Sequence, residues 1–153
     1  MNVIDTESLG APDIALSGLK IWISGRQFEN ATDFWDANWL VVTAQCASAH
    51  SEVVARGPII HLSELENWKS ALQKLHETIQ GEAGLNCMEP ELDVSIKLDG
   101  MGAGSVAVSI TPDNLTERHD FIFSIDQSYL PPLIRALQAI LRTYPIKDME
   151  TNC

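Results

Sequence analysis

Cysteine is scarce: Cys46, Cys87 and Cys153 are the only three in 153 residues, odd in number and without C-x-x-C spacing. That argues against a disulfide framework and against a thiolate metal site. No apolar run approaches the roughly 20 residues a bilayer-spanning helix needs. The N-terminus lacks a basic stretch followed by an apolar one, so no secretory signal is expected. Basic side chains are few. Ten Lys and Arg stand against 21 Asp and Glu, a formal net charge of −11. This balance repels nucleic-acid phosphates and anionic lipid headgroups and favours cationic partners. Its plainer role is to keep a cytosolic protein in solution, and the cytosol is the expected compartment.

Catalytic and ligand-binding constellations are also missing. His50, His61, His76 and His119 share no metal-ligand spacing. No G-x-S-x-G elbow is present, and no cationic side chain adjoins a cysteine to activate it. Carboxylate pairs such as Glu64/Glu66 and Glu89/Glu91 carry little meaning in so acidic a chain. The glycines of Gly100-Met101-Gly102-Ala103-Gly104 lead into an alternating strand rather than a helix. They read as a hairpin, not a phosphate loop. No enzyme, cofactor or metal ion is expected, and no nucleic acid or membrane partner.

What is present is a repeat. Ser63-Glu64-Leu65-Glu66-Asn67-Trp68-Lys69-Ser70-Ala71-Leu72-Gln73-Lys74-Leu75 aligns without a gap onto residues 128–140, 65 positions later. Ser, Leu, Ala, Leu and Gln are identical, and Trp68/Leu133 and Leu75/Ile140 stay apolar. At 45% apolar content the chain has the size of one domain with one core.

Strands are predicted at 19–24, 39–47, 52–60, 92–98, 106–110 and 120–125 from period-two alternation. Leu65, Trp68, Leu72, Leu75 and Ile79 recur every three or four residues and predict a helix near 63–80. Ser63 with Glu66 forms a capping-box pattern at its start, and Gly81 suits its end. A second helix near 128–144 has Pro131 and Pro132 in its first turn, where missing N–H donors cost least. The expected fold is α+β: a mainly antiparallel six-stranded sheet with two helices on one face, from an internal βββα duplication. Its pseudo-repeats span about 18–81 and 88–146 of a single domain at 18–146. An acidic, flexible lead-in (1–17) and a C-terminal tail (147–153) flank it.

The segment Asp33-Phe34-Trp35-Asp36-Ala37-Asn38-Trp39 interleaves three large aromatics with two carboxylates. The plain reading is that Phe34, Trp35 and Trp39 anchor a loop while Asp36 and Asn38 satisfy turn backbone groups. The functional reading is a partner-binding patch of Glu29, Asp33, Phe34, Trp35 and Asp36. Aromatics supply interface area and carboxylates meet basic side chains.

Here a family resemblance emerges. Asp36-Ala37-Asn38-Trp39-Leu40 after an aromatic, the helix at Glu64-Leu65, Met88-Glu89-Pro90 before a strand, and Asp126-Gln127-Ser128-Tyr129-Leu130-Pro131 together resemble the WapI-type bacterial immunity proteins and related uncharacterised families. The likeness covers about 18–146. It implies a non-enzymatic protein that binds and neutralises a cognate toxin, and it brings no catalytic residues with it. The acidity adds that the toxin is basic. The alternative is a structural or regulatory module acting as a homodimer.

Overall fold

The computed structural model describes residues 5–148. Positions 1–4 of the lead-in and 149–153 of the tail, Cys153 included, lie outside them.

Eight strands form two four-stranded antiparallel meanders. The first sheet holds β1 (Ile14–Leu16), β2 (Leu19–Arg26), β3 (Trp39–Ala47) and β4 (Glu52–His61), in that order. The second holds β5 (Gln80–Asn86), β6 (Leu92–Asp99), β7 (Ala103–Ile110) and β8 (Asp120–Asp126). A four-residue helix, α1 (Phe34–Ala37), interrupts the β2–β3 connection. Helix α2 (Leu62–Thr78) follows the first sheet, and α3 (Leu130–Thr143) follows the second. The order of four strands and a helix thus occurs twice.

The α+β class and antiparallel pairing agree with the expectation, but the single six-stranded sheet does not. Six strands lie where alternation placed them. β1 falls in the stretch read as lead-in, and β5 falls mostly between the two pseudo-repeats. β1 has only three residues, too short for a periodic signal. β5 buries only Ala83 and Leu85 and carries Gly81 and Gly84, residues that weaken a strand reading. Each added strand completes a separate sheet, because β5 pairs with β6 and not with any strand of the first.

The helices therefore do not share one face of one sheet. α2 lies against β4, β5 and α3, while α3 also touches β1. Inner residues of both sheets, including Ile21, Val42, Ile96 and Val106, join Leu65, Trp68, Leu72, Leu133, Leu137 and Ile140 in one core. The sheets meet where β7 approaches β3 and β4.

The β1–β2 turn is a second junction. A Cβ on Gly18 would lie 2.1 Å from the Ala47 carbonyl oxygen and 2.6 Å from a Phe123 ring carbon. Only a glycine lets the first sheet approach β8 this closely. The glycine-rich segment at 100–104 is the β6–β7 hairpin expected of it, with Gly100 and Gly102 both at φ 91° and the Asp99 carboxylate accepting from the Met101 N–H at 2.8 Å.

Helix termini depart from the expected signals. α2 begins two residues earlier than the Ser63–Glu66 pattern implied, with His61 as N-cap. The His61 N–H donates to Glu64 Oε1 at 2.8 Å, and the Ser63 N–H donates to His61 Nδ1 at 3.2 Å. A cap needs an acceptor beside the first free amides, and an imidazole nitrogen serves as well as a hydroxyl. The helix ends at Thr78, before Gly81, with Ile79 left-handed at φ 49° and donating to the Leu75 carbonyl. Ahead of the other helix, the Asp126 carboxylate caps a single 3-10 turn, Gln127–Tyr129, accepting from the Ser128 N–H at 2.8 Å and from the Ser128 hydroxyl. These bonds to the charged form lower the Asp126 pKa.

Candidate functional site

The β2–β3 connection begins where β2 and β4 each bulge opposite β3, shifting register at Gly25 and Gly57. Beyond the bulge the chain leaves the sheet and closes α1. Asp33, not Asp36, caps this helix: its carboxylate accepts from the Asp36 N–H at 2.9 Å. Asn38, fully buried, fixes the loop from beneath. Its amide nitrogen donates to the carbonyls of Phe34 (2.7 Å) and Lys147 (3.0 Å). Its carbonyl accepts from the Lys147 N–H (2.8 Å) and from Arg26 Nη1 (3.2 Å). Arg26 also donates to the carbonyls of Ala37 (2.8 Å) and Pro145.

His61 is the platform for the aromatics. The Trp35 ring stacks on the imidazole at 4.3 Å and 20°, Trp39 meets it edge-on at 5.1 Å, and Phe34 lies at 5.5 Å. Nδ1 accepts from Ser63, so Nε2 carries the proton and donates to the Trp35 carbonyl at 3.0 Å. Burial pushes the imidazole below its ordinary value of 6.5, against weaker opposing effects of the Trp35 carbonyl and Glu64.

The neutral ring is thus part of the fold, and the sign of its pH effect follows. Below about 6.5 the unfolded chain binds a proton that the native ring resists. The His61 contribution to stability is complete above that pH and shrinks as the pH falls below it. An NMR titration should find the His61 ring still neutral where an ordinary histidine is half protonated. A midpoint at or above 6.5 would contradict this tautomer and its contacts.

Of the five residues expected to form a partner patch, the structure places four on the loop surface. Trp35 is 40% exposed despite its stacking, and Glu29, Asp33 and Asp36 face solvent. Phe34 is half-buried against His61. Trp39, expected as an anchor, is buried. An open groove of about 510 Å³ runs beside them, lined by Gln27, Phe28, Glu29, Asn30, Ala31 and Asp36. The Asp33 carboxylate, followed by slight burial, raises the Asp36 pKa, as expected of two like charges held together by one cap. The surface thus offers a rigid indole face beside carboxylates, suited to a guanidinium or ammonium group.

His61, Arg26 and Glu64 belong to this arrangement and were not singled out by sequence for it. Glu64 accepts from the His61 N–H with one oxygen and from the Met88 N–H, at 2.7 Å, with the other. The His61–Glu64 spacing was the available signal, hidden behind the competing Ser63–Glu66 pattern. His61 and His119 have separate partners, His119 Nε2 lying 3.6 Å from a Glu117 oxygen. Burial pushes the Cys46 thiol up to about 11 and also raises Cys87, leaving neither poised as a nucleophile. Among the described residues, no group of three His, Cys, Asp or Glu side chains is placed to hold a metal ion.

A family model, the immunity protein WapI-like family, matches residues 13–145. No curated protein matches the chain. The chain belongs to the WapI-like immunity protein family.

Proposed function

We propose that this immunity protein neutralises a cognate toxin by binding it, without catalysing a reaction, and that the toxin presents a basic face to the α1 loop. The observation that carries the reading is Trp35, held half out of the fold on a buried imidazole and flanked by Asp33 and Asp36. An exposed aromatic with a fixed rotamer loses little entropy on binding, which is how interface anchors work. The net charge of −11 supports the polarity of the partner, since it accelerates encounter with a cation. Action in the cytosol belongs to the same proposal.

The test is association with the product of the adjacent gene. Asp33→Asn with Asp36→Asn removes two charges at nearly constant size. The expected result is a slower on-rate at low salt, with the deficit shrinking as salt rises because screening already weakens the field. Asn at position 33 still offers an oxygen to the Asp36 N–H, so the cap survives. A thermal melt run alongside checks it. An unchanged on-rate at low salt would remove this loop from the binding surface.

A homodimer remains the second reading. Its specific support is β8, an edge strand that carries Ile122 at 76% exposure. Concentration-dependent sedimentation without the toxin would favour it.

A further inference from the structure

We propose that the partner surface does not end at α1 but continues across the start of α2 onto the β5–β6 connection, with Met88 as a second apolar anchor and Glu89 as its charged rim. This rests on the toxin-binding reading above and adds to it the shape of the partner: a basic face bearing two apolar recesses, one for Trp35 and one for Met88.

The two anchors are joined by short steps. Trp35 stacks on His61 at 4.3 Å. The His61 backbone N–H bonds to one oxygen of Glu64 at 2.8 Å, and the other oxygen of the same carboxylate holds the Met88 N–H at 2.7 Å. One side chain therefore clamps both segments, so the spacing between the anchors is set before any partner arrives. Preorganisation of this kind lowers the ordering cost of association.

Met88 has no packing reason to be apolar. It is 62% exposed, and its backbone N–H is the group that Glu64 holds. A flexible thioether is suited to filling an irregular recess. Around it the charge is of one sign. Burial comes first in raising the Cys87 pKa, and the carboxylates of Glu64, Asp93, Glu91 and Glu89 raise it further, so they share one neighbourhood. One Glu91 oxygen is buried with no donor among the described residues. The three ion pairs among those residues, Lys69–Glu66, Arg118–Asp120 and His119–Glu117, leave this set unneutralised.

An apolar centre ringed by charge is the anatomy of a protein interface. The sign of that ring selects the occupant. A second copy of this chain would set acid against acid, whereas a cationic protein meets it favourably.

Calorimetry of the full chain with the adjacent gene's product tests the extension. Four variants are compared: Trp35→Ala, Met88→Ala, Glu89→Lys and, as a control of equal chemistry, Met101→Ala, which is 90% exposed in the β6–β7 turn. Met88→Ala should weaken binding about tenfold, the loss expected when an anchor is truncated. Glu89→Lys should weaken it further at low salt than at high salt. Met101→Ala should leave affinity within about twofold, and Met88→Ala, Glu89→Lys and Met101→Ala should melt like the parent. If Met88→Ala and Glu89→Lys bind like the parent while Trp35→Ala does not, the extension is wrong and the α1 surface stands. If Met101→Ala weakens binding as much as Met88→Ala, the effect is not local and the extension is likewise overturned. A parent chain that fails to bind that product overturns both readings.

Discussion

Replacing Leu72 or Leu137 with alanine will lower the unfolding free energy by about 2–5 kcal/mol, the range for a buried leucine whose cavity only partly collapses. Both side chains have no accessible surface. They occupy the same position in the two aligned helical segments, and α2 and α3 are in contact with each other. Their surroundings should therefore be equivalent, and so should the two losses. Urea denaturation of each single variant measures this. A shift below about 1 kcal/mol for either would mean that its site refills from neighbouring side chains. Markedly unequal losses would speak against equivalent packing of the halves, as would failure of residues 38–80 to superpose on 103–145.

Asn38→Ala should be comparably severe for a different reason. The side chain makes four hydrogen bonds that tie Phe34, Arg26 and Lys147 together inside the protein. Alanine removes them without replacing any partner. Each buried polar group left unpaired costs about 1–3 kcal/mol, and a loss above about 2 kcal/mol is expected even if water reaches some of them. Arg26 keeps the carbonyls of Ala37 and Pro145, which limits the damage there. The loop should loosen with the hub, so toxin association should fall alongside stability. Denaturation and binding measured on the same sample check both. A stability change below about 0.5 kcal/mol would show that the C-terminal segment holds without this residue.

The helices were the most legible part of the fold. Leu65, Trp68, Leu72 and Leu75 recur at helical spacing because one stripe faces the core, and all four are buried. Alternation likewise located six strands, most of which set one face in the core and one toward water, although β3 has no exposed residue. Alternation says which face is buried but not which strand lies beside which. The split into two sheets was therefore invisible. β5 was missed because its glycines and polar residues reflect sheet position rather than propensity. At the site, the aromatic and acidic composition of the α1 loop was readable from residues 33–39. The platform under it was not, because His61 lies 26 positions beyond Trp35 in the chain. Likewise the joint between Glu64 and Met88 exists only once β5 has run its course.

The contact between α3 and β1 has a consequence for the order in which the protein assembles. β1 is made before α3, so the core residues Ile14 and Leu16 await a helix that emerges more than 100 residues later. Until then the first sheet and the stripe of α2 remain partly uncovered. Contacts of such separation carry a large loop-closure cost and slow the search. Burial of Ile14 and Leu16 therefore depends on a closure between distant parts of the chain. A nascent chain stalled before α3 would be a client for chaperones rather than a finished fold.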